Sequence, residues 1–189
     1  MRVGDWEARY RSQERDEDFV VDPVPLVARW TARLAPGRAL DLACGTGRNA
    51  LWLAARGWQV TAVDGAEAAI ARLRARASDC GMSVETHVAD LERLEFPMLA
   101  DAFDLILDSY YLQRDLFPGM RQGVRPGGVA ICIVHLAWPG ESLSYKHAAP
   151  GELREFFPGW DILHYYEGMP NDTAHRRPVA EVVARKPND

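Results

Sequence analysis

The sequence of 189 residues predicts an α/β fold built around a parallel sheet. Short apolar segments alternate along the chain with segments whose apolar residues recur at helical spacing, which is the pattern of strands joined by crossover helices. A tight glycine turn separates the first of these strands from the helix that follows it, and the next strand ends in an acidic residue. The length suits a single domain with a core of about five to seven strands.

Local signals define the individual elements. Two prolines precede a helix at 26–34, and Pro36-Gly37 ends it. The segment 129–134 is apolar throughout, as expected of a strand buried on both faces. The last two strands follow a Gly-, Ser- and Pro-rich loop at 138–151. Because no full crossover helix separates them, they are predicted to form an antiparallel pair at one edge of the sheet. We expect strands at 39–42, 59–64, 83–88, 103–108, 129–134, 160–166 and 179–185, helices at 4–12, 26–34, 66–78 and 111–122, another helix beginning at 48, a short one before 160, an acidic loop at 14–18 and a turn at 125–128.

The composition excludes several classes of partner. A net charge of −5 disfavours nucleic acid, because phosphate binding normally requires a basic surface. No apolar run approaches the roughly 20 residues that cross a bilayer, and the first residues form no apolar signal segment. Cys44, Cys80 and Cys132 are odd in number and widely spaced, which indicates reduced thiols. We therefore expect a cytoplasmic protein without a nucleic-acid, membrane or metal partner.

The glycine turn is typical of a nucleotide-binding unit, because it lets the backbone approach a ligand closely. Residues 45–50, Gly-Thr-Gly-Arg-Asn-Ala, match the G-x-G-x-x-A pattern, so an NAD(P)-dependent oxidoreductase is one interpretation. Asp41 argues against it. A carboxylate four residues before Gly45 disfavours a pyrophosphate and favours an ammonium group.

Two further acids describe the rest of the predicted ligand. Asp64 ends the second strand and suits the two hydroxyls of a ribose in either cofactor. Asp90 follows the third strand, where it either accepts a hydrogen bond from the exocyclic amine of adenine or caps the next helix. A ligand that combines an ammonium group, a ribose and an adenine without a phosphate is S-adenosylmethionine.

Five motifs carry a family resemblance: Leu40–Gly47, Val63-Asp64, Val88–Asp90, Phe103–Asp108 and Arg125–Gly128. In these motifs the chain resembles a class I S-adenosylmethionine-dependent methyltransferase over nearly its whole length. The resemblance implies a Rossmann-like three-layer sandwich, with a seven-stranded, mostly parallel sheet whose last strand is antiparallel. One departure is Ala43, where the family usually has glycine; the extra methyl group would tighten the pocket near the methionine moiety.

A narrower similarity rests on the helix opening Gly47–Ala54 and on three segments of the tail, Pro150–Trp160, His175–Arg177 and Ala184–Lys186. In these segments the chain is similar to the small tellurite-resistance methyltransferases. The resemblance makes the basic cluster of His175, Arg176 and Arg177 a candidate for binding an oxyanion acceptor. The alternative is that they belong to a solvated charge run.

The predicted cofactor-binding residues lie around the glycine turn, after later strands and on the N-terminal helix. Arg48 and Asn49 either contact the cofactor carboxylate or face solvent at a helix start. Trp6 and Tyr10 either cover the sulfonium as part of a lid, where aromatic faces stabilise its charge, or anchor their helix to the core. The full set is Trp6, Tyr10, Asp41, Ala43, Gly45, Gly47, Arg48, Asn49, Asp64, Gly65, Asp90, Leu91 and Asp108.

The acceptor side is predicted after the fourth and fifth strands, because ligands bind beyond the carboxyl ends of strands in such sheets. His135 is there either as a general base or as a hydrogen-bonded loop histidine. The segment Asp108–Tyr111 lacks the prolines of adenine- and glutamine-nitrogen methylases, which disfavours nucleic acids and proteins as acceptors. The predicted catalytic set is Tyr110, Tyr111, His135, His175 and Arg176.

The predicted function is direct, in-line methyl transfer from S-adenosylmethionine to a small molecule, either a thiol or a chalcogen oxyanion. Soft nucleophiles of this kind need little beyond deprotonation, so the lack of an obvious base does not argue against catalysis. We expect residues 1–36 to form a helical cap or lid, residues 37–189 to form the core, and the chain to be a monomer or homodimer. Two alternatives stay open: an NAD(P)-dependent oxidoreductase and a non-catalytic S-adenosylmethionine-binding protein.

Overall fold

The computed structural model describes residues 3–12, 20–138, 140–142 and 144–188, so the acidic loop expected at 14–18 lies outside the described residues. The strands are β1 Arg38–Leu42, β2 Gln59–Asp64, β3 Glu85–Val88, β4 Phe103–Ser109, β5 Val124–His135, β6 Asp161–Gly168 and β7 Val179–Arg185. The helices are α1 Val3–Ser12, α2 Pro25–Thr31, α3 Arg48–Ala54, α4 Glu67–Asp79, α5 Leu116–Gly123 and α6 Glu152–Glu155, with a 3₁₀ helix at Leu91–Arg93.

The strands form a seven-stranded sheet in the order β3-β2-β1-β4-β5-β7-β6. Six strands run parallel and the last, β7, runs antiparallel. This arrangement confirms the predicted fold class. The chain divides into two compact units, Met1–Phe96 and Pro97–Asp189. The predicted division into a cap at 1–36 and a core at 37–189 stays a prediction.

In the first unit, β1 pairs with β2 and β2 pairs with β3, both in parallel. β1 and β2 contribute apolar, fully buried residues such as Leu40, Leu42 and Val63, whereas β3 is only partly buried. Helix α4 packs against β2 and β3, with Ile70 and Leu73 buried on its inner side. Because the three strands are parallel, their carboxyl ends lie along one edge of the unit. The glycine turn follows β1 at that edge, Asp64 ends β2 there, and Asp90 follows β3.

In the second unit, β4 and β5 pair in parallel, whereas β7 pairs antiparallel with both β5 and β6. The predicted antiparallel pair at the end of the chain is therefore confirmed. The sequence did not indicate that β7 lies between β5 and β6, so that the earlier strand, β6, forms one edge of the sheet and β3 forms the other. His135 at the end of β5 is opposite Val179 at the start of β7.

The helix predicted at 111–122 is wrong at its beginning, because α5 begins at Leu116. Pro118 explains the difference. In α5 the proline lies in the first turn, where its missing N–H needs no partner. In a helix that began at 111, the proline ring would clash with the carbonyl group of Arg114.

The turn predicted at 125–128 is instead an irregular part of β5. The register against β4 changes from Phe103 opposite Val124 to Leu105 opposite Val129, so extra residues of β5 bulge out. Gly127 adopts a φ of 74°, which its lack of a Cβ allows. The third strand is also shorter than predicted and begins at Glu85.

Among the described residues, no helix combines the length and the apolar character of a membrane span. The three cysteines carry free thiols, with Cys44 and Cys132 buried and Cys80 exposed. Burial raises the pKa of the Cys44 and Cys132 thiols well above the usual range, so both stay protonated at neutral pH.

Candidate functional site

The glycine turn connects β1 to α3 through a backbone that repeatedly enters the left-handed region. Ala43, Gly45 and Gly47 have φ values of 49°, 54° and 83°. The turn is closed by a hydrogen bond from Gly47 N to Cys44 O at 2.9 Å, and Cys44 N donates to Val63 O of β2 at 3.0 Å. Ala43 departs from the glycine of the resembling family at a position where the backbone conformation favours glycine.

Asp41 is the most buried acid of this region, with an exposed fraction of 1%. Burial raises its pKa from 3.8 to about 7, although the Ala50 amide and the charge of Arg48 oppose the rise. Its Oδ2 atom has no hydrogen-bond partner within the described part of the chain. A buried carboxylate oxygen without a partner is unfavourable unless a cationic group binds it. The site therefore fits an ammonium group.

Asp64 is held by the backbone on both sides. Its Oδ2 accepts from Gly45 N and its Oδ1 from Ala66 N, each at 2.8 Å. These two hydrogen bonds lower the pKa of the carboxyl, but burial outweighs them and the net shift is upward. A carboxylate offers about four acceptor positions, so two stay available for the hydroxyls of a ribose.

Asp90 caps the 3₁₀ helix that follows β3. Its Oδ1 accepts from Glu92 N at 2.9 Å and from Arg93 N at 3.3 Å. The capping role given above as the alternative is thus observed, and a contact with adenine stays a prediction. Leu91, the first residue of this helix, is buried.

The first two residues of α3 differ in their surroundings. Asn49 is buried, and its Oδ1 accepts from Val24 N at 3.0 Å, so the solvent-facing alternative is wrong for this residue. Arg48 is half-buried and lowers the pKa of Asp41 through its charge. Contact of either residue with the cofactor carboxylate stays a prediction.

Helix α1 packs on the start of α4 and on the glycine turn. Tyr10 and the half-buried Trp6 pack against Ala66 and Ala69, and their rings stack at 6.0 Å. The Tyr10 hydroxyl lies 2.7 Å from the point where a Cβ on Gly45 would stand. The anchoring role of the two aromatic residues is therefore observed. Their role as a lid stays a prediction.

Two further contacts join α1 to the residues that follow β2. Val3 lies against Gly65, where an added Cβ would approach its Cγ2 atom to 2.7 Å. Glu7 Oε2 accepts from Ala68 N at 2.9 Å, at the beginning of α4. This hydrogen bond is the leading cause of the lowered pKa of Glu7.

Sequence reasoning missed Arg76, a half-buried residue of α4. Its Nη1 atom donates to Thr46 O at 2.8 Å, between the two glycines of the turn. Leu73, one helical turn earlier, approaches Gly47 so closely that an added Cβ would lie 2.2 Å from its Cδ1 atom. No local pattern links a residue of α4 to the glycine turn, so only the folded structure identifies these contacts.

In the second unit, a cluster of three rings follows the ends of β4 and β5. Tyr110 stacks on His175 with ring centroids 3.5 Å apart and an interplanar angle of 12°. His135 lies 5.3 Å from each of the two rings. Asp108 is fully buried at the end of β4, and Tyr111 is half-buried after Tyr110. The structure thus brings together three of the five predicted catalytic residues.

The two arginines that follow His175 in the loop between β6 and β7 have different surroundings. Arg177 forms an ion pair with Glu141 at 2.6 Å, and Arg176 is exposed. Asp172, which sequence reasoning also missed, is buried and accepts from the Tyr110 hydroxyl at 3.1 Å. Its only sequence signal is the turn-forming run Asn171–Thr173. Among the described residues, no three His, Cys, Asp or Glu side chains are grouped to hold a metal ion.

A family model described as tellurite resistance protein TehB matches residues 25–177. The chain belongs to the TehB family. This confirms the resemblance given above, both to the methyltransferase superfamily and to its tellurite-resistance branch. The match spans the glycine turn, the predicted cofactor-binding acids Asp41, Asp64 and Asp90, and the ring cluster of the second unit.

Among curated relatives of this TehB-family chain is a probable S-adenosyl-L-methionine-dependent methyltransferase TehB of Haemophilus influenzae. It is 26% identical over 146 residues, which cover 72% of this chain and 50% of the relative. The chain spans about half the length of the curated relatives it matches first.

Two solved structures share the fold of this TehB-family chain. The crystal structure of TehB from Haemophilus influenzae has a TM-score of 0.76 at 22% identity, covering 96% of this chain and 67% of that one. The second structure comes from work on the conversion of a disulfide bond into a thioacetal group during echinomycin biosynthesis. It also has a TM-score of 0.76, at 24% identity, and the match covers 99% of this chain and 93% of that one. At these identities the similarity supports the fold alone.

Proposed function

We propose that this chain is an S-adenosylmethionine-dependent methyltransferase that acts on a small-molecule acceptor, either a thiol or a chalcogen oxyanion. The observation that carries the proposal is the buried Asp41 oxygen without a partner at the end of β1. In a TehB-family chain, whose curated relatives are named as probable S-adenosylmethionine-dependent methyltransferases, this oxygen suits the ammonium group of the methionine moiety.

The residues of the first unit fit the other parts of that cofactor. Asp64 keeps free acceptor capacity for the ribose hydroxyls, and the glycine turn presents backbone without side chains. An NAD(P)-dependent enzyme would bring a pyrophosphate to this turn. The nearby carboxylate of Asp41 disfavours a pyrophosphate, because like charges repel each other. When bound, S-adenosylmethionine supplies a sulfonium methyl group that is already electrophilic.

The residues of the second unit would orient the acceptor and receive its proton. The stacked rings of Tyr110 and His175 form a flat aromatic surface, against which a soft nucleophile would pack and lose part of its water. His135 and His175 each carry an imidazole, which is the side chain that most often serves as a general base. We assign acceptor binding to Tyr110, His135 and His175, with Arg176 available for an oxyanion.

The test combines ligand binding with turnover. Calorimetric titration compares S-adenosylhomocysteine with NADH, and formation of S-adenosylhomocysteine is followed with dithiothreitol, 2-mercaptoethanol, selenite and tellurite as acceptors. We expect binding of S-adenosylhomocysteine, no binding of NADH, and turnover with at least one acceptor. Binding of NADH alone would support an oxidoreductase. Binding of S-adenosylhomocysteine without turnover on any acceptor would support a non-catalytic binding protein.

Replacing Asp41 tests the assignment of the ammonium group. We expect Asp41→Asn to weaken S-adenosylhomocysteine binding by about 10- to 100-fold, because a buried charge partner is lost. Asp79→Asn, at the exposed end of α4, is the matched control and leaves the affinity unchanged. Equal affinities of the two variants would contradict the assignment.

A further inference from the structure

We propose that Asp172 is a positioning residue that fixes Tyr110 and His175 for acceptor binding. The inference rests on the proposed function, since it assigns a role within the same site. Asp172 lies in the segment between β6 and β7, where its side chain is buried although both of its chain neighbours are exposed. A buried carboxylate in an otherwise exposed turn needs specific partners to offset its desolvation.

The partners of Asp172 join two parts of the second unit. Its Oδ2 atom accepts from the Tyr110 hydroxyl at 3.1 Å, whereas Oδ1 accepts from Ala174 N at 3.1 Å. Its backbone carbonyl accepts from His175 N, also at 3.1 Å. One residue therefore restrains the tyrosine that follows β4 and the histidine that stacks on it.

The conformation of Tyr110 explains why such a restraint is needed. Its φ of 65° lies in the left-handed region, which is unfavourable for a residue with a large side chain. Its backbone N donates to Ile133 O at 2.6 Å, which fixes the main chain but not the ring. The side chain is fixed by the hydrogen bond to Asp172 and by the stack on His175.

The hydrogen bond also sets the direction of the phenol group. Because Asp172 as a carboxylate can only accept, the Tyr110 hydroxyl donates to it and its proton points toward Oδ2. The lone pairs of the phenol oxygen then face away from Asp172. This orientation makes Tyr110 an acceptor for a thiol hydrogen or for a protonated oxyanion.

The test compares Asp172→Asn with Tyr110→Phe and with the double variant. Asparagine keeps the shape of the side chain and an oxygen for Ala174 N, but it removes the charged partner of the phenol. With dithiothreitol as the acceptor, we expect Asp172→Asn to lower kcat/KM at least about tenfold, mainly through a higher acceptor KM. The calorimetric Kd for S-adenosylhomocysteine stays within about twofold of the unmodified chain, which a general loss of structure would not allow.

The double variant separates a specific coupling from two independent losses. If Asp172 acts through the Tyr110 hydroxyl, the double variant is no slower than the slower single variant. Asp161→Asn, exposed at the start of β6, removes the same charge from the same unit and serves as the control. The proposal would be overturned if the losses in kcat/KM of the two single variants multiplied in the double variant. Equal values of kcat/KM for Asp172→Asn and Asp161→Asn would overturn it as well.

A spectroscopic measurement keeps the proposal testable if no acceptor of the panel is methylated. In the chain labelled with ¹³C at the ζ carbon of tyrosine, the Tyr110 signal is assigned by its absence from Tyr110→Phe. We expect Asp172→Asn to shift this signal and Asp161→Asn to leave it in place. An unshifted Tyr110 signal in Asp172→Asn would refute the positioning role whether or not the chain is an enzyme.

Discussion

Asp41 and Ala43 flank Leu42, the last residue of β1. The burial of Asp41 and the backbone conformation of Ala43 are each energetically unfavourable. Asp41 is a buried acid whose Oδ2 atom has no partner among the described residues, and Ala43 adopts a φ of 49°. Neither feature is favourable for folding, and we propose that both serve the binding of a ligand. Local instability of this kind concentrates at functional sites, because the ligand supplies the missing interaction.

The raised pKa of Asp41 predicts how stability depends on pH. Between pH 4 and pH 7 the folded chain keeps a proton on Asp41 that the unfolded chain releases, so this residue lowers the free energy of unfolding as the pH rises. Asp41→Asn removes the dependence. The stability of the variant relative to the unmodified chain should therefore rise by up to about 4 kcal/mol from pH 4 to pH 8. Urea unfolding of both chains at several pH values measures it, and a constant difference would contradict the prediction.

Ala43→Gly should stabilise the unliganded chain. The substitution relieves the left-handed strain, which costs alanine about 1–2 kcal/mol. Glycine also raises the conformational entropy of the unfolded chain, which offsets a smaller part of this gain. We expect a net gain of about 0.5–1 kcal/mol in urea unfolding. Ala71→Gly, on the exposed side of α4, is the control and should lose about 1 kcal/mol. A loss in both variants would show that Ala43 is not strained.

At the scale of elements, α4 does more than cover the sheet. Its first turn is bound by Asp64 and by Glu7 of α1, and further along it Leu73 and Arg76 contact the glycine turn. A single helix thus links the N-terminal helix, the end of β2 and the loop that would hold the methionine moiety. We expect the shape of the glycine turn to depend on α4.

Arg76→Gln tests this dependence. Loss of the guanidinium leaves the buried Thr46 carbonyl without its charged donor, a hydrogen bond of the kind that contributes about 1.5–3 kcal/mol. We expect S-adenosylhomocysteine to bind about tenfold more weakly by calorimetry, with partial recovery in Arg76→Lys. The control is Arg74→Gln, since Arg74 lies on the same helix but donates to Thr86 at its exposed face. Equal losses in the two variants would argue against a role of Arg76 in shaping the turn.

At the scale of the whole molecule, the chain combines a methyltransferase fold with residues that fit one cofactor. The seven-stranded order with β7 between β5 and β6 supplies the architecture. Folds of this type host many reactions, so the fold does not name the acceptor. The activity has to be argued from Asp41, Asp64 and the ring cluster after β4 and β5.

Binding of the cofactor should stabilise the whole chain. At a concentration 100 times its Kd, S-adenosylhomocysteine should add about 2.7 kcal/mol to the free energy of unfolding. For a chain of this length that corresponds to a rise in Tm of about 5–10 °C. Differential scanning fluorimetry measures the shift, with NADH at the same concentration as the control. A larger shift with NADH would contradict the proposed function.

The alternation of apolar strands and helices was sufficient to predict the sheet. The glycine turn and its flanking acids predicted the cofactor, whereas the residues that hold it stay a prediction. These signals are local: burial on both faces requires apolar runs, and a left-handed turn favours glycine. Boundaries were less predictable. The beginning of α5 depends on one proline, and the turn at 125–128 became a bulge because β5 pairs with β4 on both sides of it.

By itself, the sequence determined the fold class, the family and the acids at or directly after the carboxyl ends of β1, β2 and β3, because each depends on residues close together in the chain. Only the tertiary structure revealed that Arg76 donates to Thr46 of the glycine turn and that Asp172 accepts from Tyr110, whose ring stacks on His175. These contacts join residues about 30 and 60 positions apart. No periodicity or motif encodes such pairs, since they arise when parallel strands bring their carboxyl ends to one edge and distant loops meet there.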